Sequence, residues 1–452
     1  MKEINITSSR GQFHSRFGFI MAAAGAAVGL ANIWGFPTQV ANNGGAAFVI
    51  MYLVLTFFLA FPVFMAELLI GRYGQANLAS SLEKMARNQL HKRFAFVIGF
   101  GGFLVAALVL SFYVIIAGWM MSYAAEPVAR MVGLTDIAHW IVSDSSLRSI
   151  LFSTVFMFLT FFIIQKGVEG IEKWSKKLMP SLIILLIVLI IYVLTLEGAS
   201  NGIKAYLSPD FSRVFEPNLI ISALGQAFFS LSIGGGLNVI YGSYISKKEN
   251  LIILGTQVTL IDVGIAFLAG LLIIPAMYVA QAQGITIFTG DGGLVSGPSL
   301  VFSVIPNLFN GMGTTGLFLG LIFFVLMSIA ALTSSIAIVE ALVAFVVERH
   351  GIGRKKASML IAVIILSAST IIVINIGWML ELIVTVSSQY GNAIVAMLSC
   401  LFVGWIWHRH EVLEELRKGN DEVENSLFWK VWPWYIKFVC PVGIALVFFH
   451  SL

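Results

Sequence analysis

The sequence predicts an all-α polytopic membrane protein of eleven transmembrane helices, and three observations carry that expectation. The 452-residue chain is 58% hydrophobic and only 11% charged, with a mean hydropathy of +0.93, whereas soluble domains carry about 25% charged residues. Apolar runs long enough to cross a bilayer, about 18 residues or more, recur from end to end. Basic residues alternate by side. Spans are expected at roughly 14–40, 44–70, 94–124, 150–165, 175–196, 218–245, 251–280, 313–347, 357–376, 379–407 and 433–451. With the N-terminus in the cytoplasm, 23 Lys and Arg lie inside and 4 outside, namely Arg130, Arg148, Lys204 and Arg213. That asymmetry is the positive-inside pattern. An odd number of spans puts the C-terminus outside.

Residues Met1 to Arg16 are polar and lack a hydrophobic signal region, so no cleavable leader is expected. The first span contains "GAAVGLANIWGFP", Gly25 to Pro37, where three glycines, a proline and Asn32 interrupt apolar sequence. The second span carries Glu67 near its inner end, as either a backbone-satisfying group or a functional acid. The outer connection at 125–149 is long. In the fifth span Gly170 and Pro180 both disfavour a continuous helix. Its inner end either unwinds or starts plainly near Pro180.

The sixth span holds "FFSLSIGGGLNVIYGSY", with Gly234, Gly235 and Gly236 in a row. Close packing of small residues explains Gly25 and Gly29, four apart. It explains three adjacent glycines poorly, because they point in different directions around a helix. A break explains them better. Unwound backbone frees carbonyls for a cation, and a half-helix N-terminus can hold a carboxylate. Breaks five spans apart fit two five-span repeats of opposite orientation, the organisation of inverted-repeat secondary transporters. The repeats are expected at 10–196 and 218–407 within one transporter domain, followed by a connector at 408–432 and a last helix at 433–451.

Asp262, in the seventh span, is the deepest acid. It is either a hydrogen-bonded structural acid or a cation ligand, and the cation role is preferred because intramembrane acids are costly. The outer connection at 281–312 has apolar pieces too short to span, and is expected to fold back as a lid. The eighth span offers Thr333, Ser334 and Ser335. Such hydroxyls usually bond their own helix carbonyls; beside a broken first helix they would complete an oxygen-only site suited to a hard cation, with sodium the choice. Glu340 and Glu381 either line a cavity or snorkel. His408 to Lys430 is expected to be a solvated connector. The two cysteines, Cys400 and Cys440, form no redox motif. The seven histidines all fall outside spans or at their ends, so a haem or metal site within the membrane has no evident ligands.

Taken together, "GAAVGLANIWGFP…NNGGAAFVIMY", "ELLIGRYGQ", "GIEKWSKKLMP", "GQAFFSLSIGGG" and "LTSSIAI" resemble the neurotransmitter:sodium symporter family, with its LeuT-like fold and discontinuous first and sixth helices. The match runs in order from about Arg10 to Arg409, and the closest type is the bacterial multihydrophobic amino acid transporters. Typical members have a twelfth span, which this chain is expected to lack. The resemblance implies a plasma-membrane symporter, two sodium sites and alternating access. It implies a first sodium site from Ala27 backbone, Asn32, Ser230 and Asp262, completed by the substrate carboxylate. A second would use carbonyls of Gly25, Val28 and Ala330 and hydroxyls of Thr333 and Ser334. Most members have asparagine where this chain has Asp262. Chloride-dependent members bind their anion near the positions of Tyr52, Gln226 and Ser230, so the fixed charge of Asp262 is expected to make chloride unnecessary.

By the same resemblance the substrate pocket comprises Ala26, Gly29, Val109, Tyr113, Phe229, Ser232, Gly235, Ser334 and Ile338. Tyr113 would bond the substrate carboxylate; an aromatic core residue is its plain alternative. Gly29 stands where amine transporters carry aspartate, so amino acids are expected over monoamines. Gly235 replaces a bulky phenylalanine, which leaves room for aromatic as well as aliphatic hydrophobic L-amino acids, including Leu and Trp. Arg10 and Glu348 match the family's cytoplasmic gate, with Phe13 in place of its tryptophan. Gly35 removes the usual outer-gate arginine, leaving Phe229 and the lid to close that side. A receptor or channel on the same fold is the competing class. An enzyme, a nucleic-acid partner and an obligate protein partner are not expected; the lipid bilayer is.

Overall fold

Every predicted span coincides with a helix or a pair of helices in the computed structural model, which describes residues 11–208, 211–290, 293–295 and 297–450. The first is a bent pair, α1 (Arg16–Ala27) and α2 (Ala31–Asn42), at 55°. There follow α3 (Ala46–Gly74), α4 (Leu78–Met85), α5 (Gln89–Met131), α6 (Thr135–Val142), α7 (Ser146–Ile164), α8 (Gly167–Leu194) and α9 (Ala199–Leu207). The sixth expected span is two short helices, α10 (Pro217–Ser230) and α11 (Leu237–Ser243). Then come α12 (Leu251–Ala282), α13 (Leu300–Asn310), α14 (Gly313–His350), α15 (Arg354–Ile374), α16 (Ile376–Ile406), α17 (Arg409–Arg417) and α18 (Leu427–His450). Among the described residues nine helices are long and apolar enough to cross a membrane, or ten with α1 and α2 as one span. The expected count of eleven holds only if α10 and α11 are also joined.

Both breaks follow from local chemistry. At the first, Val28 leaves the helical region (φ −70°, ψ 105°) and a π-helical turn, Ala31–Gly35, restarts the chain. At the second, Ser232, Gly234 and Gly236 have φ of 51°, 103° and 72°. Glycine adopts that left-handed region at little cost. A serine there is strained, a feature that clusters at functional sites. Glu67 resolves to the backbone-satisfying alternative. It accepts from the Gly234 amide at 2.9 Å and from Asn238 Nδ2 at 2.8 Å, holding the second break open.

Several expectations need correction. The Gly170–Pro180 segment lies within one continuous helix, α8, whose packing against α1, α12 and α14 outweighs the local preference; Glu172 on it accepts from the His14 amide (2.8 Å) and Ser15 Oγ (2.9 Å) and pairs with Lys176. The 408–430 connector is not simply solvated. Val412, Leu413, Glu415 and Leu416 of α17 are buried, and Glu415 pairs with the buried Arg72 at 3.0 Å. Glu340 does not snorkel, and it lines neither of the two cavities described below. It is buried and bonded to Arg354 and to the Tyr244 hydroxyl. Glu381, in contrast, is exposed.

Candidate functional site

The two breaks meet at the centre of the bundle. From α1, the Ser334 hydroxyl on α14 reaches the carbonyls of Gly25 (3.4 Å) and Val28 (3.3 Å). Thr333 Oγ1 instead donates within its own helix, to Ala330 O at 3.0 Å and Ile329 O at 3.2 Å. One hydroxyl of the expected pair therefore crosses between helices and the other does not. Gly25 lies close to both Thr333 and Met179: a Cβ there would stand 3.1 Å from Thr333 Cβ. Gly25, Val28, Ala330, Thr333 and Ser334 are thus brought together.

A second cluster forms around Asp262, which is fully buried on α12. Asn32 Nδ2 donates to Asp262 Oδ1 at 2.7 Å and to Ser230 Oγ at 2.9 Å, while Asn32 Oδ1 accepts from the Gly29 amide at 3.2 Å. Ser230 Oγ donates to Asp262 Oδ2 at 2.7 Å, and the Tyr52 hydroxyl donates to Ser230 at 3.2 Å. Gln226 donates to Ala31 O at 3.0 Å. A buried carboxylate surrounded by an amide and two hydroxyls is an oxygen-rich, single-charge environment. Such chemistry suits a hard monovalent cation better than a transition metal.

Between these clusters lies Gly29. A Cβ on it would stand 2.6 Å from Ser334 Oγ and 3.1 Å from the Tyr113 hydroxyl, so only glycine leaves the space open. The Tyr113 hydroxyl is buried and makes no hydrogen bond of normal geometry among the described residues. Such an orphan donor is costly unless something else fills its bond. Ser232 Oγ donates to Ala26 O at 3.3 Å, joining the two breaks directly. Ala26, Ala27 and Ile338 are buried and Val109 is half-buried.

Gly235 sits lower. It lines a small cavity of about 20 Å³ with Gly102, Phe103, Ala106, Leu342 and Phe345, one helical turn beyond Val109 and Ile338. Phe229 is 45% exposed. The expected lid does pack on the bundle: Phe302 of α13 lies against Trp34, Trp119 and Tyr123, with ring centroids 6.5, 5.7 and 5.1 Å away.

At the other end Phe13 stacks on Tyr241 and meets Tyr244 and Phe19 edge-on. The expected gate residue Arg10 lies outside the described residues. Glu348 accepts from the Asn77 backbone amide at 2.9 Å and Asn77 Nδ2 at 2.6 Å. Sequence reasoning missed the Glu172 clasp on the N-terminal segment and the Tyr244–Glu340–Arg354 group. An acid beside two lysines was the only signal for the first, and no local pattern announced the second.

With this geometry in view, comparisons with known proteins are informative. The model of the sodium:neurotransmitter symporter family matches residues 10–151 and 144–452. The uncharacterized sodium-dependent transporter YhdH of Bacillus subtilis is 31% identical over 98% of this chain and 97% of its own length. An uncharacterized sodium-dependent transporter of Methanocaldococcus jannaschii is 31% identical over 97% of this chain and 90% of its own. The crystal structure of MhsT in complex with L-phenylalanine superposes with a TM-score of 0.83 at 33% identity, covering 98% of this chain and all of that one. The chain therefore belongs to the sodium:neurotransmitter symporter family: it is a multi-pass, sodium-dependent membrane transporter, not an enzyme.

Proposed function

We propose that this transporter imports hydrophobic L-amino acids, aliphatic and aromatic, together with two sodium ions and without chloride. The buried, unpartnered Tyr113 hydroxyl beside Gly29 carries the reading. It offers a donor to a substrate carboxylate, and Gly29 leaves room for the amino-acid backbone without supplying an acid for an amine. L-Phenylalanine in the similar MhsT structure supports the class of side chain. Gly235 adds no side chain of its own to the pocket wall, which favours acceptance of the larger side chains. Apolar walls of this kind discriminate weakly among apolar groups, so broad specificity follows.

Sodium is cargo in this scheme. The first ion would take Ala27 backbone, Asn32, Ser230, Asp262 and the substrate carboxylate. A half-turn of the Asn32 amide would exchange its nitrogen for its oxygen beside Asp262. The second ion would take the carbonyls of Gly25, Val28 and Ala330 with the hydroxyls of Thr333 and Ser334, replacing the Ser334 proton as partner of two of them. Residues 10–196 and 218–407 act as the two repeats, with the N-terminus cytoplasmic, the C-terminus outside and the plasma membrane as location. Arg10 with Glu348 closes the inner side; Phe229 and the α13 lid close the outer. Ions and substrate drive transport by favouring one conformation over another.

The test is uptake of labelled Leu and Trp into proteoliposomes. Uphill accumulation is expected only with an inward sodium gradient. Flux that merely equalises concentration points to a channel, and binding without flux to a receptor.

A further inference from the structure

A cavity of about 250 Å³ lies far from the transport site, between the end of α16, α17 and the start of α18. Its lining includes Gly404, Trp407, Arg409, Trp429, Trp432 and Lys437, and no acidic residue. Both facing walls are π-helical turns, Phe402–Ile406 and Tyr435–Val439. Such turns are frequent at functional sites. They approach closely: a Cβ on Gly404 would stand 2.8 Å from Lys437 Cα.

The two cations have no ion-pair partner among the described residues. Instead, Arg409 lies over the Trp429 ring at 5.2 Å, and Lys437 over Trp405 at 4.1 Å. Trp407 is 3% exposed, and its indole N–H has no hydrogen-bond partner among the described residues. Trp434 lines one side and is itself 59% exposed, together with the neighbouring Phe438. A belt of tryptophans at a membrane interface is common. A cavity with two cations that lack an acidic partner among the described residues, an unsatisfied donor and an aromatic exit towards the bilayer asks for more than a belt.

We propose that this cavity binds the headgroup of an anionic glycerophospholipid. The phosphate meets Arg409 and Lys437, the Trp407 N–H donates to a phosphate or ester oxygen, and the acyl chains leave past Trp434 and Phe438. The proposed orientation places this end of the bundle in the cytoplasmic leaflet, where anionic lipids attract basic residues. Because Tyr73 of α3 packs on Trp407 at a centroid distance of 4.8 Å, the lipid would brace the connector against the helix that holds the second break.

Native mass spectrometry of the purified full chain, titrated with phosphatidylglycerol or phosphatidylcholine of matched chains, tests this. Phosphatidylglycerol should be retained preferentially, by roughly fivefold for each cation. Joint substitution of Arg409→Gln and Lys437→Gln should abolish the preference, and Trp407→Phe should weaken it. Lys430→Gln, an exposed charge outside the cavity, should leave it unchanged. Equal retention of both lipids by the unmodified chain overturns the proposal whatever the variants do. So does a preference that Lys430→Gln lowers as much as the double substitution, or a lipid-free dimer in which a second copy covers the cavity.

Discussion

Asp262 concentrates the chemistry of the proposed transport site into one side chain. Its two oxygens hold Asn32 and Ser230, and through Ser230 it reaches Tyr52. At ~4 Å a unit charge is worth about 4 kcal/mol at an effective dielectric constant of 20. That is enough to substitute for a bound anion beside sodium. Replacing chloride by gluconate should therefore leave uptake by the unmodified transporter unchanged. Asp262→Asn should make uptake chloride-dependent, with about tenfold less activity in gluconate than in chloride, a change of about 1.4 kcal/mol and thus well within that electrostatic term. A large loss without chloride in the unmodified protein would refute the role given to this carboxylate. Gly29 and Tyr113 work by absence: one lacks a side chain and the other lacks a partner.

At the scale of elements, the second break is held by neighbours. Glu67 on α3 grips Gly234 and Asn238, and α3 and α11 touch through Gly71 and Gly242, whose added Cβ atoms would strike backbone across the contact. Small residues at such contacts let helices approach in a bilayer. The connector then clamps the same helix. Arg72 donates to Glu415 Oε1, to the Glu415 carbonyl and to Glu249 O at 2.9 Å, while Lys418 adds a second cation to Glu415 at 2.7 Å. Removing one partner of a buried pair costs about 3–5 kcal/mol. Glu415→Ala should accordingly lower the thermal unfolding midpoint in detergent by several degrees. Arg72→Met combined with Glu415→Leu should recover much of that loss; an unshifted midpoint in the single variant would show that the connector is not anchored here.

For the whole molecule, the proposed transport cycle requires the inner end to open and close. Glu172 clasps the N-terminal segment onto α8 with charge-assisted hydrogen bonds. Each bond to a charged group is worth about 1.5–3 kcal/mol. Losing about 1.5 kcal/mol of closure should raise opening by about tenfold. The readout is a cysteine at Met179, which is fully buried beside Gly25. A membrane-impermeant thiol reagent applied from the inner side should label Met179→Cys about tenfold faster when Glu172→Gln is also present, on the ratio just given. The native Cys400 and Cys440 are fully buried and contribute little background. Equal labelling rates would mean that opening is controlled elsewhere.

What the sequence by itself determined is what local composition can carry. Apolar length set the spans, the Lys and Arg count set an expected orientation, and glycine runs marked both breaks, because helix propensity and transfer energy are properties of short stretches. Asp262 was legible for the same reason, since an acid at membrane depth stands out in any context; its partners Asn32 and Ser230 came only from the family resemblance. Only the tertiary structure decided partners. Arg72 with Glu415 and Glu340 with Arg354 pair across different elements, and nothing local distinguishes a buried ion pair from two solvated charges. Likewise Gly170 and Pro180 weaken a helix by propensity, yet α8 stays whole, since its packing against α1, α12 and α14 outweighs that preference. The cavity at Trp407 belongs to the same class, because it exists only where three separate elements meet.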